Sequence, residues 1–274
     1  MKPVMRYHGA KFRLAPWIIQ FFPQHTTYVE SFGGAAGVLL QKPRCYAEVY
    51  NDLDGDIVNL FRVLQDDKTA NELTNKLLVT PFARSEFELA YEDTTEPVER
   101  ARRTLIRSSM GFGSAGATKG GTGFRIDTRR SYGTASHLWA KYPETIAMFT
   151  SRLQGVLIEN RPAIEVMQQH DGIETLHFVD PPYVNSTRTG GNRYYRHEMS
   201  DIDHEQLLHA VNQLEGFVVL SGYETDMYND LLKGWTVHRT SARISAHRGT
   251  TNRTECAWVN ARCSAISPQK ILFG

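Results

Sequence analysis

The sequence predicts an α/β fold with a doubly wound, mainly parallel sheet. Residues 28–40 have the pattern of a strand, a glycine loop and a helix, and residues 45–64 have that of a strand followed by a helix. Residues 176–180 form a further apolar strand that ends on an acid. Short strands that alternate with helices are typical of an open sheet covered by helices.

The first of these segments begins with the β-prone residues 28–31. It continues through a small-residue turn at 32–37 into the apolar residues 38–40, where a helix is expected. A glycine turn between strand and helix lets a ligand approach the backbone, and the helix N-terminus adds partial positive charge. The third glycine of the dinucleotide-binding fingerprint is missing, so glycines that serve only helix–strand packing are an alternative.

The second segment has a strand candidate at 45–50 that ends at Asn51 and Asp52. An acid at the end of the strand beside a glycine loop can accept hydrogen bonds from both hydroxyls of a ribose, so Asp52 is a candidate for nucleoside binding. The helix that follows has apolar residues at helical spacing: Ile57, Leu60, Phe61 and Leu64.

The composition changes in the middle of the chain. Residues 66–99 are mostly acidic and are predicted to be helical, whereas residues 100–135 are basic and rich in glycine and serine. We interpret residues 66–150 as an inserted, mainly helical domain with an exposed basic loop, and residues 1–65 and 151–274 as the core. The candidates for contact with nucleic acid are Arg100, Arg103, Arg107, Lys119, Arg125, Arg129 and Arg130. A solvated surface paired with the acidic stretch is the alternative.

Sheet-like patterns return in the last third of the chain. A helix is predicted over 204–214, with Asp203 as its N-cap and Gln206 at the capping-box position. Further strands are predicted at 217–220, 235–240 and 255–260.

Length and charge restrict the class of protein. The chain has 274 residues, 41% of them hydrophobic, and a formal net charge of +1, so a nucleic-acid site must come from local clustering of basic residues. The 3 cysteines form no CxxC pair, which argues against a metal site or a disulfide framework and indicates a reduced cytoplasm. We find no signal peptide and no run of about 18 apolar residues, so no membrane location is expected.

The strongest catalytic candidates are Asp180, Pro181, Pro182 and Tyr183. They follow the apolar strand 176–179, at the edge where open α/β sheets bind ligands. Consecutive prolines restrict the backbone and donate no N–H, so their carbonyls stay available as acceptors. A carboxylate, a rigid carbonyl and an aromatic ring suit a planar heterocycle with an exocyclic amino group. A strand-end turn with a capping Asp and a packed Tyr is the alternative.

These motifs, in this order, resemble those of the D12-class (Dam-like) adenine-N6 DNA methyltransferases. The similar segments cover most of the chain: 6–11, 28–38, 51–54, 180–183, 221–223 and 253–258. Within the loop, Ser31 replaces the family's usual proline, and Ala36 stands where its last glycine is expected. Alanine keeps the loop if its φ is negative. The basic insert does not closely match the family's best-known GATC-recognising insert.

The resemblance implies a Rossmann-like S-adenosylmethionine-dependent methyltransferase core with an inserted target-recognition domain. The residues that it assigns to S-adenosyl-L-methionine are Tyr7, Lys11, Glu30, Phe32, Gly34, Asp52 and Asp180. Lys11 is expected near the cofactor's carboxylate and Asp52 on its ribose. No metal is implied, and a monomer or weak dimer is expected.

The implied reaction is methyl transfer to the N6 amino group of an adenine flipped out of double-stranded DNA. Asp180 and the Pro181 carbonyl would accept the amino hydrogens, and Tyr183 would stack on the base. The alternatives are an amino-methyltransferase that acts on cytosine N4 or on RNA, a non-catalytic DNA-binding relative, and a nicotinamide-dependent oxidoreductase.

Overall fold

A sheet of seven strands lies at the centre of the described part of the chain. The structure is a computed structural model that describes residues 3–113, 116–117, 121–126, 134–187, 195–246 and 249–265, with the backbone alone at 242–246 and 249–252. The strands are β1 Thr27–Glu30, β2 Ala47–Asn51, β3 Val156–Glu159, β4 Thr175–Val179, β5 Phe217–Gly222, β6 Thr236–Ala246 and β7 Gly249–Val259.

The strands lie side by side in the order β3-β2-β1-β4-β5-β7-β6. The first five strands in that order pair in parallel, and β7 runs antiparallel to both β5 and β6. The strand order reverses between β1 and β4, which creates the crevice where sheets of this kind bind ligands. The predicted α/β fold with a mainly parallel sheet is therefore confirmed.

Helices cover both faces of this sheet. They are α1 Ala15–Ile19, α2 Gly55–Gln65, α3 Asp67–Leu78, α4 Arg84–Leu89, α5 Pro97–Met110, α6 Ala135–Ala140, α7 Ile146–Leu153, α8 Ala163–Gln169, α9 Asp201–Asn212, α10 Asp226–Leu231 and α11 Ala261–Ala265. Side chains alternate along the strands, so Phe178 and Val219 pack with α1, α2 and α7, whereas Val179 and Val218 pack with α8, α9 and α10.

Helices also occupy much of the predicted insert. Leu73 of α3, Leu105 of α5 and Trp139 of α6 belong to the same hydrophobic cluster as Tyr28 of β1. The described residues of this segment are therefore mainly helical, as predicted, and they share a hydrophobic core with the sheet. Its limits at residues 66 and 150 stay a prediction.

The helix predicted after the glycine loop is replaced by a series of turns. Gly34 and Ala36 have φ values of 48° and 52°, in the left-handed region, which interrupts a right-handed helix. The backbone N–H of Leu39 donates to the Glu30 carboxylate at 2.7 Å instead of to a helical carbonyl. The condition of a negative φ at Ala36 is therefore not met, and this conformation explains why glycine suits the position.

Two further predictions need correction, one on the start of a helix and one on the basic loop. Helix α9 begins at Asp201 because Ser200 is its N-cap, and Asp203 is the third helical residue. The Ser200 hydroxyl accepts a hydrogen bond from the Asp203 N–H, and the Asp203 carboxylate accepts one from the Ser200 N–H. Residues 100–110 of the predicted basic loop belong to α5, whose apolar side packs in the core.

Candidate active site

A cavity of about 610 Å³ lies at the C-terminal ends of β1, β2 and β4. We call it the cofactor-type cavity. It occupies the crevice where the strand order reverses, and its volume falls within the range of small-molecule sites. The predicted cofactor residues that line it are Tyr7, Lys11, Glu30, Phe32, Gly34, Asp52 and Asp180. Pro182 of the predicted catalytic motif lines it as well.

The glycine loop forms one wall of the cavity, and both backbone polar groups of Gly34 are hydrogen-bonded to side chains there. Its N–H donates to Asp52 at 2.8 Å, and its carbonyl accepts a hydrogen bond from the Tyr50 hydroxyl at 2.6 Å. A Cβ on this residue would lie 2.7 Å from the Tyr7 ring. Glycine is therefore required by both the left-handed backbone and the close approach of Tyr7.

Asp52 lies beside this loop at the end of β2. Its carboxylate accepts hydrogen bonds from the N–H groups of Gly34 and Asp54, each at 2.8 Å. Burial raises the pKa of Asp52 to about 6, although these hydrogen bonds favour the charged form. Asp54 also lines the cavity, caps α2 and lies 3.2 Å from Arg196. The motif at 51–54 predicted no separate role for Asp54.

Glu30, at the end of β1, is hydrogen-bonded to the turns that follow the glycine loop. One carboxylate oxygen accepts hydrogen bonds from the Tyr28 hydroxyl and the Leu39 N–H, both at 2.7 Å. Burial raises the pKa of Glu30 to about 8, so this carboxyl largely holds its proton near neutral pH. Its contacts tie β1 to the turns that replace the expected helix.

Asp180 follows β4 and pairs with Lys11. The ammonium of Lys11 lies 2.9 Å from the Asp180 carboxylate and donates to the Gly9 carbonyl at 3.0 Å. Burial raises the pKa of Asp180 to about 6, and the nearby Lys11 charge opposes that rise. Lys11 was expected near the cofactor's carboxylate; in the structure its ammonium contacts the predicted catalytic acid.

Tyr183 is held in a fixed orientation beside Asp180. Its hydroxyl donates to the buried Glu255 carboxylate at 2.5 Å. Its ring centre lies 4.4 Å from that of Tyr223, with an angle of 65° between the planes, and 4.6 Å from the Lys11 ammonium. Only the family resemblance linked residues 221–223 and 253–258 to the site. In the structure Tyr223 and Glu255, one from each segment, contact Tyr183 of the catalytic motif.

Residues after the catalytic motif also reach the cavity. Tyr195 and Arg196 line it, as do Pro162, Ala163 and Ile164 at the start of α8. The Tyr195 hydroxyl donates to the His8 carbonyl at 3.3 Å, and a Cβ on Gly9 would lie only 2.1 Å from that hydroxyl. Sequence reasoning gave none of these residues a cofactor role. The glycine at position 9, with a φ of 73°, is the signal for this close contact.

A second cavity of about 850 Å³ contains three of the predicted DNA-binding arginines, and Arg196 lines both cavities. We call it the arginine cleft and define it by Asp56, Arg100, Arg103, Arg107 and Arg196. Asp56 lies 2.6 Å from Arg100, 2.9 Å from Arg107 and 2.9 Å from Arg196. Burial alone would raise the pKa of Asp56, but the Arg100 hydrogen bond and the neighbouring positive charges lower it.

The other predicted DNA-binding residues have different environments. Arg103 pairs with Glu99 at 2.8 Å, and Arg125 is buried. The predicted exposure of the basic segment is therefore wrong for these two arginines. Lys119, Arg129 and Arg130 lie outside the described residues. A role in DNA binding stays a prediction for the whole set.

No group of three or more His, Cys, Asp or Glu side chains in the described ranges could hold a metal ion. None of the helices described is long and apolar enough to cross a membrane.

Residues 7–246 match the family model of the D12 class N6 adenine-specific DNA methyltransferases. The chain belongs to this family. It is therefore an adenine-specific DNA methyltransferase, and the matched range begins at Tyr7 and includes the glycine loop, Asp52 and the motif at 180–183.

Among solved structures, the chain is similar to the rRNA methyltransferase aviRa from Streptomyces viridochromogenes. The two share 12% sequence identity over 94% of this chain and 88% of that chain, with a TM-score of 0.37. The comparison with curated proteins gave no match.

Proposed function

We propose that this D12-class enzyme uses S-adenosyl-L-methionine to methylate an adenine flipped out of double-stranded DNA. The observation that carries the proposal is the meeting of the predicted cofactor residues and Asp180 at one cavity in the sheet's crevice. A base stacked inside a duplex cannot enter such a cavity, so it must leave the helix at a cost of about a few kcal/mol.

The cavity lining fits this cofactor. Gly34 gives the backbone room for close approach, since a Cβ there would meet the Tyr7 ring. Asp52 and Asp54 provide acceptors for ribose hydroxyls, and one oxygen of Asp54 is buried without a hydrogen-bond partner among the described residues. Bound S-adenosylmethionine supplies an electrophilic methyl group attached to a positively charged sulfur.

Asp180 is the central catalytic residue of the proposal. The N6 nitrogen of adenine is a poor nucleophile because its lone pair is delocalised into the ring. Hydrogen bonds from the amino group to Asp180 and to the Pro181 carbonyl favour a more tetrahedral nitrogen with an available lone pair. The nitrogen gains positive charge during transfer, which the adjacent carboxylate stabilises. Orientation of the two reacting groups supplies much of the remaining acceleration.

Tyr183 provides the stacking surface for the flipped base. Stacking on an aromatic side chain contributes roughly 1–3 kcal/mol per base, which offsets part of the cost of flipping. The hydrogen bond to Glu255 and the contact with Tyr223 hold the Tyr183 ring before DNA arrives. The enzyme therefore does not need to order this side chain during binding.

The arginine cleft is the proposed contact for the DNA backbone. It shares Arg196 with the cofactor-type cavity, so a strand bound in the cleft lies next to the site of methyl transfer. Arg100 bonds Asp56 through its Nε atom, and a guanidinium has further N–H groups that can bind phosphate. Arg103 and Arg107 complete the positive wall.

Transfer of tritiated methyl from S-adenosyl-L-methionine to duplex DNA, followed by digestion to nucleosides, tests the proposal. Label should appear on N6-methyl-2′-deoxyadenosine. Single-stranded RNA of matched sequence serves as the control substrate and should remain unlabelled. Label confined to cytidine or to RNA contradicts the substrate assignment, and an enzyme that cannot bind S-adenosylmethionine contradicts the cofactor.

A further inference from the structure

Ser31 lines the cofactor-type cavity just after β1, and the proposed reaction assigns no task to its hydroxyl. The residue is 1% exposed. Its Oγ atom is buried and has no hydrogen-bond partner among the residues that the structure describes. Its backbone is fixed, because the Asn51 side chain donates to the Ser31 carbonyl at 2.9 Å. Ser31 is therefore a fixed residue of the cavity lining whose hydroxyl has no partner among the described residues.

A buried hydroxyl without a partner is unfavourable, because folding removes its hydrogen bonds to water and replaces them with none. The neighbouring buried groups avoid this cost. Glu30 accepts two hydrogen bonds, and the Asn51 amide donates to the carbonyls of Ser31 and Arg161. Ser31 thus differs from these two neighbours, and an unsatisfied buried hydroxyl on a residue that lines a cavity indicates a ligand partner.

We propose that the Ser31 hydroxyl forms a hydrogen bond with a polar atom of S-adenosyl-L-methionine. The inference rests on the proposed cofactor. A hydroxyl both donates and accepts, so it suits the cofactor's carboxylate, its ammonium group or a ribose hydroxyl. The family's usual proline has no such side-chain group. Ser31 therefore gives this enzyme a cofactor contact of its own.

The test compares wild type with Ser31→Ala by calorimetric titration of S-adenosyl-L-homocysteine and by thermal unfolding without ligand. Affinity for the probe should fall about tenfold, because a hydrogen bond to the ligand is lost. The melting temperature of the unliganded variant should rise by about 2–4 °C, because the unsatisfied hydroxyl is gone. A hydroxyl that only supports the fold would produce the opposite shift in melting temperature.

Ser108→Ala is the matched control. Ser108 is also 1% exposed, but it does not line the cavity, and its hydroxyl exchanges hydrogen bonds with the Arg6 backbone at 2.9 and 3.1 Å. This variant should melt at a lower temperature and keep the wild-type affinity for S-adenosyl-L-homocysteine. Ser31→Cys, which keeps nearly the same volume with a weaker hydrogen-bonding group, provides a second variant if Ser31→Ala is poorly folded.

A second probe, 5′-methylthioadenosine, lacks the amino-acid end of the cofactor. A loss of affinity for S-adenosyl-L-homocysteine alone places the partner of Ser31 at that end, and a loss for both probes places it on the nucleoside. Equal affinity of wild type and Ser31→Ala for both probes overturns the inference and leaves the proposed function intact. Absence of binding to wild type contradicts the proposed function itself.

Discussion

The cofactor-type cavity and the arginine cleft adjoin each other but differ in how their polar groups are satisfied. In the cavity, burial raises the pKa of Asp52 and Asp180 to about 6, and one oxygen of Asp54 has no partner among the described residues. In the cleft, Asp56 has three arginine partners and a lowered pKa. The cavity contains groups that a bound ligand can satisfy, whereas the acid of the cleft is already paired with the arginines around it.

This difference has a consequence for binding. Ligand contacts in the cavity add hydrogen bonds to buried groups, so each one should have a large effect on affinity or rate. Phosphate contacts in the cleft compete with existing ion pairs and are closer to solvent, so each one should have a small and salt-dependent effect. The following predictions test that contrast, beginning with the largest effect.

Asp180→Asn should reduce kcat for methyl transfer by about a hundredfold to a thousandfold, because the neutral amide stabilises the developing positive charge poorly. DNA affinity, measured by electrophoretic mobility shift, should stay close to that of wild type. Asp230→Asn is the matched control. Asp230 is an exposed residue of α10, and it pairs with Lys233 in the turn that follows the helix. Full activity of the Asp180 variant would rule out the proposed catalytic role.

Asp52→Asn should raise the KM for S-adenosylmethionine about tenfold to a hundredfold, because it removes charged acceptors from the proposed ribose site. The kcat should change little, since this group is assigned to binding. Steady-state kinetics with saturating DNA separates the two effects. A fall in kcat with an unchanged KM would show that Asp52 acts in the chemical step and not in cofactor binding.

Methyl transfer should decline at acid pH with an apparent pKa of about 6, set by Asp180. The ionised carboxylate is the active form, and its pKa is raised, so protonation removes the acceptor as pH falls through that value. The kcat should then fall about tenfold per pH unit. DNA binding should show no matching decline, because the pKa of Asp56 is lowered. A kcat that is constant down to pH values near the ordinary Asp pKa would contradict this assignment.

Arg100→Gln should weaken DNA binding only about threefold to tenfold and reduce the slope of log affinity against log salt by about one unit. The fold should persist because Asp56 keeps Arg107 and Arg196 as partners. Arg239→Gln is the control, since Arg239 is half-exposed, pairs with Glu224 and lines neither cavity. Identical salt slopes for the Arg100 and Arg239 variants would show that Arg100 does not contact DNA phosphates.

Sequence patterns were most informative where one local segment determines the structure. The apolar runs at 176–179 and 217–220 match β4 and β5 closely, since buried parallel strands have continuous apolar sequences. The acid that follows such a strand lies at the sheet's C-terminal edge, so the strand pattern was enough to predict Asp52 and Asp180 as ligand-binding residues.

Patterns failed where distant residues decide local structure. The turns after the glycine loop form because the Glu30 carboxylate accepts a hydrogen bond from the Leu39 N–H. The helix propensity of residues 38–40 gives no sign of that contact. Arg100 and Arg107 of α5 are held by Asp56, which lies on α2. Composition alone does not show whether an arginine is paired or free, which is why the basic segment seemed exposed.

Arg196 belongs to both regions, since it contacts Asp54 at the cofactor-type cavity and Asp56 in the arginine cleft. A ligand that strengthens or breaks one of these contacts changes the position of a charge that the other site also uses. Thermodynamic linkage makes such an effect reciprocal: whatever factor the cofactor imposes on DNA affinity, DNA imposes on cofactor affinity. A single shared guanidinium thus gives the enzyme a physical route by which cofactor binding and DNA binding can influence each other.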